Sequence, residues 1–133
     1  MQAPERNDRT RLLEALAKAR EPRLRERALA LALDARIDGR DALALLEAAL
    51  VDDANRPAAF AFVRSHFDAL VAKLPEDTPN RLITEAGRLC TPADRSAFES
   101  FFKDRAARFN GGAWRYRQAL EHIELCLAAH FQP

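Results

Sequence analysis

An all-α fold is what this sequence predicts, and three observations carry the prediction. Alanine and leucine dominate the 48% of residues that are hydrophobic, and both are strong helix formers. β-Branched residues, which favour strands, are few. Proline and glycine punctuation at "EPRL", "RIDGRD", "DDANRP", "LPEDTPN", "CTP" and "FNGG" divides the chain into about seven segments of helical length. Short links between successive helices imply antiparallel neighbours, and hence either a bundle or a stack of helical hairpins of the α-solenoid kind. Without a strict sequence repeat, pattern alone leaves that choice open.

The first helix is expected near residues 7–19, behind the polar start "MQAPERNDRTR", with residues 1–6 disordered. The second covers 22–35. Its "ALALALDA" alternates enough to imitate a strand, yet it is built of helix formers. In the third, over 41–51, Ala42, Leu45, Leu46, Ala49 and Leu50 keep helical spacing. A helix over 57–73 places Phe60, Val63, Phe67, Leu70, Val71 and Leu74 on one stripe, with Phe62 off it and His66 between. Helices over 79–90 and 92–109 each open on Thr-Pro, an N-cap followed by proline at the first helical position, where its missing N–H costs nothing. Asp94 adds an acid at the positive end of the second of these. The last helix, 113–131, carries a stripe of Tyr116, Leu120, Ile123, Leu127 and Phe131, while Trp114 and Leu125 point elsewhere. Residues 1–133 read as a single helical domain, and a chain of this length can bury roughly two thirds of the surface its unfolded form exposes.

Charge excludes more than it suggests. With 21 basic and 20 acidic side chains the formal net charge is +1, so no global field draws in nucleic acid or an anionic membrane. "RERALALALDARIDGRD" offsets each charge with its opposite and reads as a solvated helix face. No apolar run reaches the roughly 18 to 20 residues of a membrane span.

Chemical candidates are weak. The zinc-hydrolase motif His-Glu-x-x-His is absent from this sequence. His122, Cys126 and His130 follow one another at i, i+4, but the two histidines lie about 12 Å apart along a helix axis, too far for one compact site. Ser65 and His66 diverge by about 100° and form no nucleophile–base pair. The glycines fall at turns, outside any phosphate-binding loop. Cys90 and Cys126 are either one disulfide or two reduced core thiols. Arg105, amid Phe98, Phe101, Phe102 and Phe109, is expected to pack its stem on the rings and pair its head with a carboxylate or water.

The order of segments then matters. "ALALALDARIDGRDALALLEAAL", "NRPAAFAFVRSHFDALVAKLP", "LITEAGRLCTPADRSAFESFFKDR" and "NGGAWRYRQALEHIELCLAAHF" resemble the C-terminal helical domain of bacterial zinc aminopeptidases of the aminopeptidase N type, shared with endoplasmic-reticulum and puromycin-sensitive aminopeptidases. Phe62, Val63, Asp68 and Leu70 match a Phe-Val-x-x-Asn-Trp-Asp-x-Leu helix, Phe101 and Phe102 a later aromatic pair, and Leu120, Glu121 and Ile123 a closing Leu-Glu-x-Ile helix. His66 and Phe67 stand where that family has Asn-Trp, a position the resemblance makes structural. The match runs over about residues 24–131.

The resemblance implies a HEAT- or armadillo-like stack, non-catalytic in itself and a fragment of a larger C-terminal domain. It would pack on an upstream catalytic domain that holds the zinc and gate that domain's peptide substrates. No cofactor is expected in this chain, nor a nucleic-acid or membrane partner, though a fragment with an uncovered interface could self-associate. Cys90 and Cys126 resemble cysteines of bacterial members, which favours a pair. Trp114, Arg115, Arg117 and Arg105 are the candidate peptide or interface contacts, by composition. The competing reading is a free-standing helical-repeat adaptor that binds a protein or peptide.

Overall fold

The computed structural model describes residues 3–130, with side chains from residue 7 onward. Among these residues the fold is all-α: eight α-helices and two 3-10 turns, with no strand. The chain divides into two compact units, Met1–Glu76 and Asp77–Pro133. Of residues 1–6, for which disorder is expected, 3–6 lie in the first helix and 1–2 lie outside the described residues, as does Phe131 with the stripe position expected for it.

Unit 1 holds α1 (Ala3–Leu16), α2 (Pro22–Ala30), a 3-10 turn (Leu31–Leu33), α3 (Gly39–Val51), α4 (Arg56–Ser65) and α5 (Phe67–Lys73). Its centre is α3, where all of the expected stripe, Ala42, Leu45, Leu46, Ala49 and Leu50, is buried. Helices α1, α2 and α4 and the 3-10 turn all pack against α3, covering it with Leu13, Leu29, Ala32, Phe60 and Val63 from those elements.

Local chemistry sets the ends. Glu21 accepts from the Arg23 and Leu24 N–H groups, and Pro22 occupies the first turn of α2. Asp38 accepts from the Asp41 N–H at 2.9 Å to begin α3. The end of α3 leaves carbonyls unpaired by the helix itself. Arg56 takes two of them, donating to the Leu50 carbonyl at 2.6 Å and the Val51 carbonyl at 2.9 Å.

Several boundaries in unit 1 differ from the sequence reading; the helix expected over 22–35, for one, ends at Ala30 and gives way to the 3-10 turn. The first helix stops at Leu16, and the carbonyls just beyond it, of Ala17 and Ala19, accept from the Asn55 amide at 2.7 and 2.8 Å. Asn55 is fully buried, so this side chain substitutes for further helical turns. The helix expected over 57–73 is two helices, broken at His66 (φ −123°, ψ 21°). The His66 N–H still reaches the Phe62 carbonyl at 3.1 Å, and the Leu70 N–H reaches the His66 carbonyl at 2.9 Å. Two i→i−4 bonds therefore persist through the break, and Val63 and Phe67 stay buried on either side of it.

Asp52, at the C-terminus of α3, accepts from Arg20 at 2.8 Å. That hydrogen bond is the main cause holding its carboxyl below the usual carboxylate range; the Asn55 and Ala54 N–H groups add to it, and burial opposes. A depressed folded-state value stabilises the fold above the unfolded value, about 3.9, and is lost as pH falls through the folded one. Arg20 is 62% exposed, so solvent screening keeps the contribution at or below about 1 kcal/mol. Asp52→Asn keeps the amide acceptor and removes the charge. It is expected to lower stability slightly at pH 7 and not at pH 2; an equal loss at both pH values in urea titrations would rule out the charge as its origin.

Unit 2 holds α6 (Pro79–Ala86), α7 (Pro92–Arg105), a 3-10 turn (Ala106–Arg108) and α8 (Gly112–His130). Helices α6 and α7 both pack against α8. The core is aromatic: Phe98 stacks on Tyr116 with centroids 5.5 Å apart and meets Phe102 at 5.3 Å. Thr91 caps α7 as expected, accepting from the Asp94 N–H at 3.0 Å. Thr78 differs: it sits at the N-cap of α6 in helical backbone, and its side chain does not cap the helix. The turn there is made by Asp77, at φ 63°, a left-handed conformation that aspartate tolerates better than most residues. Helix α6 ends at Ala86. Gly87 follows it because a Cβ there would press on the Ala119 backbone of α8 at 3.0 Å.

Candidate functional site

The start of α8 is where the sequence placed most of its candidate contacts, and the structure explains how it is fixed. Gly111 turns the chain at φ 75°, and a Cβ on Gly112 would overlap the Ala106 carbonyl, so only glycine fits there. Asn80, buried on α6, donates to the Asn110 carbonyl at 2.7 Å. On this anchored turn Trp114 is 53% exposed. The Arg115 guanidinium lies 5.9 Å from the Trp114 ring centre and donates to the Thr84 hydroxyl at 3.3 Å. Arg117 is exposed on the same helix. Trp114 and Arg115 make a cationic, aromatic surface suited to carboxylates or to a planar group stacked on the indole; Arg117, one turn beyond Trp114, faces away from Arg115.

Arg105 belongs to another environment. Its guanidinium sits 4.1 Å above the Phe101 ring and donates to the Phe101 carbonyl at 2.9 Å. The stem packing expected from sequence is present, while the head finds a ring face and a backbone oxygen in place of a carboxylate. Phe98 and Phe102 are buried beneath, and Phe101 and Phe109 are half-buried.

Cys90 and Cys126 are joined as a disulfide with Cα atoms 5.6 Å apart. Cys126 rides on α8, and Cys90 follows α6 in the turn before α7. The structure also brings His130 to the bridge, its ligand atom within 4.8 Å of both sulfurs. The sequence grouped His130 with His122 and Cys126 along one helix. It missed Cys90, whose 36-residue separation from Cys126 is closed by the fold.

Unit 1 contributes a groove of about 470 Å³ between α2 and α4. Leu29 and Phe62 form its apolar floor, and Arg25, Glu26 and His66 stand around it. His66 is exposed there and tilts against Phe62 with ring centroids 4.6 Å apart. Arg25 also donates to the Asn55 side chain at 3.4 Å. The groove can receive an apolar side chain with polar groups at its rim. Among the described residues no helix is long and apolar enough to cross a membrane.

Fold and surfaces together define an all-α domain. The chain belongs to the ERAP1-like C-terminal domain family, whose model matches residues 1–125. It is thus a non-catalytic C-terminal domain of an aminopeptidase-like protein. No curated protein and no solved structure matches the chain.

Proposed function

We propose that this chain supports and gates the catalytic domain of a bacterial zinc aminopeptidase, limiting which peptides reach the active site. The observation that carries the reading is the family match over residues 1–125, which takes in every helix except the last turns of α8. The zinc belongs to the partner domain: the His-Glu-x-x-His ligand set that a zinc exopeptidase needs is absent from this sequence. In this reading Arg115 and Arg117 beside Trp114 meet the carboxylates of a peptide or of the catalytic domain. Peptide substrates and that domain are then the partners.

The test compares two substrates in the parent enzyme. With Arg115→Glu and Arg117→Glu together, KM for peptides of several residues should rise several-fold, while kcat/KM for a single-residue chromogenic amide should not change. The isolated chain should release no amino acid from either. Metal-dependent turnover by the pure chain would overturn the reading, and unchanged peptide kinetics in the double variant would remove the two arginines from it.

A further inference from the structure

The Cys90, Cys126 and His130 cluster holds the donor types of a transition-metal site. Its atoms lie within 4.8 Å of one another, close to the separation that ligands of one tetrahedral ion need: two thiolates bound to zinc at about 2.3 Å sit about 3.8 Å apart. Cys126 and His130 are four residues apart on α8, which stacks their side chains on one face. Cys90 approaches from the turn after α6, so the three donors come from two backbone segments. Both cysteines are half-buried, whereas His130 is exposed, giving an entry path from solvent.

We propose that reduction of the Cys90–Cys126 bridge converts this cluster into a three-ligand site for a thiophilic divalent cation, zinc foremost, with its fourth position open. The reductant is a dithiol. It gives up two electrons and two protons and becomes a disulfide, while the protein's S–S bond becomes two thiols. The incoming cation displaces both thiol protons, and the neutral His130 imidazole supplies the third donor. Two sulfurs and one imidazole select zinc over magnesium or calcium, which favour oxygen. The bridge excludes the metal, because its sulfurs carry no thiolate charge. The site is therefore redox-gated. The sequence alone predicts no cofactor in this chain; what changes that expectation is Cys90, brought in by the fold.

The test uses the full chain, free of any histidine tag and reduced with a phosphine that is then removed, with cobalt(II) as the probe. The expected result is one equivalent bound, with a thiolate-to-cobalt charge-transfer band and the intense visible bands of tetrahedral coordination, both removed by zinc. The oxidised chain should give neither. Cys126→Ser should abolish the charge-transfer spectrum's two-thiolate intensity. His130→Ala should weaken binding by roughly tenfold or more, since even the loss of an outer-shell partner costs 10- to 100-fold; His122→Ala should leave it unchanged. Should reduction unfold unit 2, zinc is expected to restore its helical circular dichroism. A reduced chain that stays helical without tetrahedral cobalt bands overturns the proposal, as does full-strength binding by His130→Ala or failure of zinc to refold a reduced, unfolded unit.

Discussion

Phe98→Ala is expected to destabilise unit 2 by about 3–5 kcal/mol, the range for removing a buried phenylalanine. Phe98 is fully buried, stacked nearly parallel on Tyr116 of α8 at 7° and tilted against Phe102 of its own helix. Truncation removes the ring from both contacts at once and leaves a cavity that α7, held by its Thr91 cap and by the bridge at Cys90, cannot readily close. Phe98→Leu, which refills most of the volume, should cost no more than about 2 kcal/mol. Guanidinium titrations followed by the fluorescence of Trp114, the sole tryptophan, or by near-ultraviolet dichroism would read unit 2 directly. If alanine cost no more than leucine, the packing described for α7 on α8 would be wrong.

Asn55→Leu should cost about 2–4 kcal/mol in unit 1, for a different reason. Leucine is apolar and close in size, so the loss is the stranding of the Ala17 and Ala19 carbonyls, each about 1–3 kcal/mol when left without a donor in a buried setting. Asn55→Asp should be worse than leucine at pH 7, because it sets a carboxylate against two carbonyl oxygens. It should recover part of the loss at pH 4 and below, where a protonated acid can donate once. Thermal melts at the two pH values separate the cases. An aspartate variant more stable than the leucine one at pH 7 would contradict the hydrogen-bond assignment.

The parts of this fold that sequence revealed are those governed by neighbours in the chain. The α3 stripe, the Asp94-supported cap at Thr91 and the glycine turn before α8 depend on residues within four of one another, and periodicity or side-chain chemistry exposes them. What sequence hid depends on residues far apart. Asn55 looks like an ordinary loop asparagine until the end of α1 is brought to it across 38 positions. His66 sits in a run without proline or glycine, so nothing local announced that the helix is interrupted there. The candidate contacts divide the same way. Trp114, Arg115 and Arg117 are near neighbours in the sequence, so composition alone could single them out, whereas the donor set at Cys90, Cys126 and His130 needed two segments to meet.

The disulfide spans the whole of α7, the Phe109–Gly111 turn and most of α8. That segment is a covalent ring. Asn110 and Gly111 are exposed at its outer bend, the kind of loop tip that proteases nick first. A cut there opens the ring without dividing the molecule, and the two pieces travel together until a thiol parts them. Damage to this end of the protein is therefore invisible to size under oxidising conditions and complete under reducing ones.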